Sequence, residues 1–211
     1  MNKKPVFYDA DQLEEIEQFI EKEWRTGNNG SICHEMKSEY VHTDVYVMAD
    51  EEETVLVTCG VGAREMAASL PKYARAEFIL YASPDLKGDV VENKDLMTAC
   101  VELTNISKYP FREDTWIGPG HTINASDDFR ETFGYPYFLF LEYPVCAKVN
   151  GIGEIRYLIA IPVYEDEVEE MTKRREYATF LKAYFDYFEN PEYARDIFRI
   201  DSDRPHLVDQ Q

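Results

Sequence analysis

Positive charge is what this sequence has least of. Its 22 Lys and Arg stand against 41 Asp and Glu, a formal net charge of −19 over 211 residues. A field of that sign repels phosphate backbones and anionic headgroups, so it argues against nucleic acid or a membrane as partner and for a cationic protein. Long apolar runs are missing too: no stretch of 18 occurs, and Met1-Asn2-Lys3-Lys4-Pro5 leads into acidic sequence rather than an apolar signal core, so a cytoplasmic chain is expected. Glycine and proline, ten of each, are scattered and no heptad is sustained, which excludes collagen-like, low-complexity and coiled-coil classes. Cysteine is sparse. Cys33, Cys59, Cys100 and Cys146 lie far apart with no C-x-x-C pair, which favours free, mostly buried thiols over disulfides or metal ligands.

The motifs of common chemistries are absent as well. Of the four histidines, His34, His42, His121 and His206, no two stand four apart; His34-Glu35 has Ser38 where a second zinc ligand would sit, so no metal site is expected. Gly60-Val61-Gly62 follows a strand, but Glu65 occupies the third place of the dinucleotide fingerprint, where a carboxylate would repel a pyrophosphate; Gly118-Pro119-Gly120 leads into a strand, and Gly151-Ile152-Gly153 reads as a hairpin turn. There is no G-x-S-x-G elbow, and Cys33 and His34, adjacent on one strand, point to opposite faces. Neighbouring acids such as Asp127 and Asp128 carry little information in a chain with 41 of them. No catalytic residue, cofactor or metal is therefore assigned. If the chain were an enzyme, its site would be assembled from distant residues, with His121, in the turn after Trp116, as the first candidate for the acid–base group, or else Cys33 or one of the carboxylates.

What is present is a well-supplied core. Hydrophobic residues make up 45% and aromatics 14%, with 15 Tyr and 12 Phe, and a chain of this length buries roughly 70% of its unfolded surface without staples. Leu13, Ile16, Phe19 and Ile20 recur at helical spacing among glutamates, predicting an amphipathic helix from Asp9 or Asp11 to Trp24 with an acidic outer face. Strands are predicted at 31–36, 41–49, 54–59 and 76–82, a short one at Thr122-Ile123, and two central ones at 137–141 and 155–161. Asn93 caps a predicted helix to about Ile106, and a longer helix is predicted from Tyr164 to about Glu189, closed by Pro191. With no linker between the halves, residues 1–211 read as one α+β domain, a mixed β-sheet with helices packed on it.

Two acidic segments stand out. Asp50-Glu51-Glu52-Glu53 forms the tip between two strands, and Glu165-Asp166-Glu167-Val168-Glu169-Glu170 puts five acids in six residues at a helix start. Carboxylates there complement the helix dipole by about 0.3–1 kcal/mol each, so a solvated face explains some of them. Charges closer than the Debye length of about 8 Å repel, and a basic partner would relieve that repulsion. Both readings stay open; on the second, Glu165, Asp166, Glu167, Glu169, Glu170, Asp50, Glu51, Glu52 and Glu53 guide a partner, with Tyr164 and Tyr177 as aromatic anchors, and reversing Glu165, Glu167 and Glu169 should leave the fold intact.

Several segments together resemble the suppressor-of-fused domain family: Val57-Thr58-Cys59-Gly60 leading to Met66, Arg75-Ala76-Glu77-Phe78-Ile79-Leu80-Tyr81, Trp116 with Gly118-Pro119-Gly120-His121-Thr122-Ile123, Ile161-Pro162-Val163-Tyr164-Glu165-Asp166-Glu167, and the Asp201-Ser202-Asp203-Arg204-Pro205 tail. Their order and spacing carry the likeness, over about residues 30–206. The resemblance implies an α+β fold and protein binding rather than catalysis. Animal members restrain a transcription factor and carry a further C-terminal domain; single-domain bacterial relatives occur as immunity or antitoxin proteins beside toxins. It therefore implies an immunity protein that binds a cognate, basic, nuclease-type toxin, or else a regulatory adaptor. The family supplies no catalytic residues, and neither its binding surface nor an oligomeric state transfers by motif.

Overall fold

The structure, a computed structural model, describes residues 4–24, 30–174 and 198–200. The first helix, α1 (Ala10–Trp24), starts at a reciprocal cap. The Asp9 carboxylate accepts the Gln12 N–H at 2.9 Å, and the Gln12 side chain accepts the Asp9 N–H at 3.1 Å. Its buried stripe is Ile16, Ile20 and Trp24.

The strands β1 (Gly30–Cys33), β2 (Asp44–Ala49), β3 (Thr54–Cys59) and β4 (Ala76–Ala82) form an antiparallel run. Then come α2 (Lys94–Arg112), β5 (Thr122–Asn124), α3 (Asp127–Phe133), β6 (Tyr137–Val149), β7 (Gly153–Val163), α4 (Glu165–Arg174) and β8 (Arg199–Ile200). All strands join one mixed sheet in the order β1-β2-β3-β4-β7-β6-β5, with β8 on β4. β4 pairs in parallel with both β7 and β8. The fold is α+β, as the sequence implies.

Strand alternation divides the core in two. Val57, Ile79, Tyr157, Ile159 and Leu139 face α1, and Met171 of α4 joins them. Leu56, Phe78, Leu80, Leu158 and Phe140 face the other way, onto Leu96, Cys100 and Leu103 of α2 and Phe129 of α3. Parity of two along a strand places successive side chains on opposite layers, so a buried central strand is apolar on both faces. β4 shows this, with every residue buried and one of them Glu77.

β3 and β4 occupy the predicted residues, and Gly151 and Gly153, with φ of 81° and 94°, make the hairpin turn between β6 and β7. Asn93 caps α2 by accepting the Leu96 N–H at 3.0 Å. Other bounds differ. β1 ends at Cys33 rather than residue 36, because from Glu35 on the chain bonds to the side chain of Asp44 instead of a ladder partner. α2 continues past Ile106 to Arg112; Pro110 falls in its last turn, where it forgoes the one bond its N–H would have made four residues back and only two helical residues follow it. α3 is an unpredicted element with an ordinary signature, Ser126 accepting the Phe129 N–H and Gly134 closing in the left-handed region at φ 82°. β6 runs on to Val149 through a bulge between Glu142 and Cys146. The remainder of the long predicted helix, with Tyr177, and the 201–205 tail lie outside the described residues.

Candidate partner-binding surface

The strand register decides where the acidic segments lie. Thr54 opens β3 opposite Ala82, which ends β4, and β7 runs parallel to β4 before handing over to α4. The Asp50–Glu53 tip and the start of α4 therefore sit at the same end of the sheet, across β4 and β8, about 10–15 Å apart by strand spacing. More than a hundred residues of sequence separate them. The tip is the expected turn: the Asp50 N–H donates to the Glu53 carbonyl, and the Asp50 carboxylate accepts the N–H groups of Glu52 and Glu53 at 2.7 and 2.9 Å. Glu51 and Glu52 are exposed.

On α4, Glu165, Asp166 and Glu169 are exposed and Glu170 is partly so. Glu167 corrects the expectation of a uniformly solvated patch. It is 1% exposed, its carboxylate accepts the Tyr164 N–H at 2.9 Å, and its own N–H donates to Asp166, so it caps the helix it belongs to. Reversing its charge would disturb the fold. Tyr164 is half-buried, its ring 4.8 Å from that of Tyr135, and with Glu165, Asp166, Glu169, Gly134 and Pro136 it lines an open depression of about 470 Å³. Local charge thus surrounds an aromatic ring.

A second surface carries no acidic signature and is not visible in the sequence. β1 is an edge strand, and between it and the 87–91 loop runs a groove of about 850 Å³ lined by Ile32, Cys33, Met36, Val90, Val91 and Met97, with Lys87 and Asp89 at its rim. Met36 is 96% and Val91 82% exposed. Large apolar side chains this open, and grouped, mark contact surfaces.

Beside it, His34 and His42 meet, though not around a metal. Nδ1 of His34 and Nε2 of His42 each lie 3.1 Å from one oxygen of Asp44, and the Ser38 hydroxyl is 2.7 Å from Nδ1 of His42. A hydroxyl, an imidazole and a carboxylate in line suggest a hydrolytic triad, but the ring nitrogens are reversed relative to that arrangement, and the Glu35 carboxylate lies 3.8 Å from the same Nδ1. Glu35 also accepts the Thr43 N–H and pairs with Lys108. The cluster fastens the β1–β2 connection to α2. Among the described residues no group of three or more His, Cys, Asp or Glu is placed to hold a metal ion. The His121 ring packs edge-on to Trp116 at 4.5 Å.

The Gly60-Val61-Gly62 turn does form an anion-binding nest of backbone N–H groups, and the chain's own Glu77 fills it. Oε1 accepts from Gly60 N at 3.0 Å, Gly62 N at 2.9 Å and the Tyr8 hydroxyl at 2.7 Å; Oε2 accepts from the Thr58 hydroxyl at 2.6 Å and Val61 N at 3.3 Å. Burial pushes the Glu77 carboxyl above its ordinary range, and hydrogen bonds from Thr58, Gly62, Tyr8 and Gly60 pull against that push. No phosphate can enter a nest already occupied. Gly60 adopts φ 128°, and a Cβ there would overlap the His42 carbonyl, so the turn requires glycine.

α1 is likewise less solvated than its pattern suggests. Glu17 accepts from the Tyr46 hydroxyl, Glu23 from the Tyr143 hydroxyl at 2.8 Å, and Glu15 from both nitrogens of Asn150. Three glutamates of its acidic face are clamps onto the sheet.

The chain matches the suppressor of fused protein (SUFU) family over residues 39–204. A solved structure described as the Sufu-Fu complex is similar in fold, with a TM-score of 0.68 at 13% identity over 98% of this chain and 94% of that one. No curated protein sequence matches the chain.

Proposed function

The chain belongs to the suppressor of fused family, and from that premise we propose that it works by binding another protein rather than by catalysis, as a cytoplasmic immunity protein that neutralises a basic, nuclease-type toxin. One observation carries this reading: two acidic segments remote in sequence are brought to the same end of the sheet, and the second of them surrounds Tyr164. A toxin that handles phosphates presents a basic cleft, and a net charge of −19 steers the inhibitor to it. Such complementarity raises association rates toward about 10⁸–10⁹ M⁻¹s⁻¹ at low salt, while a half-exposed aromatic such as Tyr164, covered by the partner, holds the complex.

The test is the product of the adjacent gene. Co-expression should rescue cells from it, and the purified pair should associate with a rate that falls steeply with salt. Replacing Glu165 and Glu169 by Lys should slow association and flatten that salt dependence while leaving the chain folded. Failure of rescue sinks the immunity reading, and unchanged kinetics sink the role of this surface. A regulatory adaptor is the second reading, favoured by the similar solved structure being a complex with a protein partner; an adjacent gene that encodes no toxin would select it.

A further inference from the structure

The sheet is unguarded at its β1 edge. β1 reads Gly30-Ser31-Ile32-Cys33, with no charge and no proline in a chain that is 30% charged, and among the described residues no strand pairs with its outer side. An edge strand turns every second N–H and C=O outward, and proteins ordinarily protect such a row with charges, prolines or a covering segment. Here the flanking surface is apolar as well. Strand parity puts Ser31 and Cys33 of β1 and Val47 and Ala49 of β2 on one face, where with Met97 of α2 and the 87–91 loop they wall the groove. The Ser31 hydroxyl donates to the Gly88 carbonyl at 3.4 Å, which holds the loop over that face. Met36 and Val91, the most exposed large apolar side chains among the described residues, stand at the groove.

Charge selects the occupant. Gly30 pairs with Met48, and Ala49, which also lines the groove, is followed directly by the Asp50–Glu53 tip. A chain laid outside β1 passes about 10 Å from that tip, two strand spacings across, a gap that a Lys or Arg side chain closes with the exposed Glu51 or Glu52. A second copy of this chain is the wrong occupant, since each copy carries −19 and repels its like.

We infer that β1 receives an extended segment of a partner protein as a further strand of the sheet, with apolar side chains at alternate positions filling the groove and Lys or Arg at the end that lies over the Asp50–Glu53 tip. Main-chain bonds to β1 give the affinity, and the groove reads every second side chain; the intervening ones flank Ile32 on the other face. In the strand order the tip lies between this edge and α4, so the contact extends the acidic surface to the rim of the sheet. The inference rests on the protein-binding reading but not on the partner being a toxin.

The experiment selects from a phage-displayed library of random peptides about ten residues long against the immobilised full chain. Val91→Asp serves for counter-selection, because Val91 is 82% exposed and its replacement leaves the core alone. Enriched peptides should alternate apolar and polar residues and carry Lys or Arg at one end. A synthetic copy of the leading peptide should bind the wild-type chain at least about tenfold more tightly than Val91→Asp, and should slow hydrogen exchange of the amides of residues 30–33. N-methylating one alternate set of its backbone amides should abolish binding, and N-methylating the other set should not. Glu51→Lys with Glu52→Lys should weaken binding several-fold and flatten its salt dependence.

The inference is overturned if no sequence is enriched over the counter-selection, if the enriched peptides space their apolar residues at helical intervals, or if exchange at 30–33 is unchanged on binding. It is also overturned if sedimentation shows a wild-type dimer that Val91→Asp dissociates, which gives the groove to a second copy. Exchange and N-methylation on the unmutated chain decide the matter even if a variant fails to fold. No toxin enters these measurements, so their failure and the failure of rescue by co-expression are separate results.

Discussion

Glu77 offers the sharpest test of how this fold is held together. It is a fully buried carboxyl that accepts five hydrogen bonds, three of them from the backbone N–H groups of Gly60, Val61 and Gly62. Removing it in Glu77→Ala leaves those three donors without an acceptor, while the Tyr8 and Thr58 hydroxyls can turn elsewhere. An orphaned buried donor costs about 1–3 kcal/mol, so the gross loss is about 3–9 kcal/mol. Relief of the burial that raises the carboxyl returns part of this, leaving a net loss of about 4 kcal/mol. That is a large share of a total stability of about 5–15 kcal/mol, and at about 2–4 °C per kcal/mol it lowers Tm by about 8–16 °C. Glu77→Gln separates the two contributions. With its carbonyl at the Oε1 position the amide still accepts from Tyr8, Gly60 and Gly62, and its NH2 group can donate to Thr58, so only the long Val61 contact is lost outright; the expected cost is about 1 kcal/mol. Tyr8→Phe, which removes one donor and orphans none, should cost less than Glu77→Ala. Urea and thermal denaturation of the three variants give the ranking. If Glu77→Ala and Glu77→Gln are equal, or both more stable than wild type, the carboxyl is a tolerated burden and not the keystone of the turn.

Two further outcomes follow from the same geometry. Gly60→Ala should destabilise by about 3 kcal/mol in denaturant melts, since positive φ strains any Cβ and this one overlaps the His42 carbonyl. Glu167→Ala should lower Tm, because it removes the acceptor that caps α4 at a cost of about 1 kcal/mol, whereas Glu165→Ala, exposed on the same turn, loses only a weak, solvent-screened dipole contribution and should lower Tm less. Equal Tm for the two would show that position in the acidic run, not burial, sets their role.

Much of the local architecture could be read directly from residue order. Short apolar, β-branched runs placed β3 and β4, Asp9 and Asn93 announced their helices, and paired glycines announced the β6–β7 hairpin, because each signal lies within a few residues of the structure it controls. The same composition announced an acidic protein and pointed to Tyr164 and both acidic segments. It could not say which carboxylates stay in water. Glu15, Glu17 and Glu23 follow a solvated helical pattern yet clamp Asn150, Tyr46 and Tyr143, and Glu167 sits in an acidic run yet is buried.

Those outcomes depend on register between strands far apart in the chain. Pairing β4 with both β3 and β7 carries Glu77 into the Gly60 turn, and it sets the Asp50–Glu53 tip at the same end of the sheet as α4. A carboxylate has no fixed character of its own in such places. Its state is decided by which donors or apolar walls the packed layers press against it, and a one-residue slip in register would turn every one of them to the opposite face. The order of residues alone determined the elements, their caps and the sign of the surface; tertiary packing chose which of the charged groups are structural and which are left in solvent.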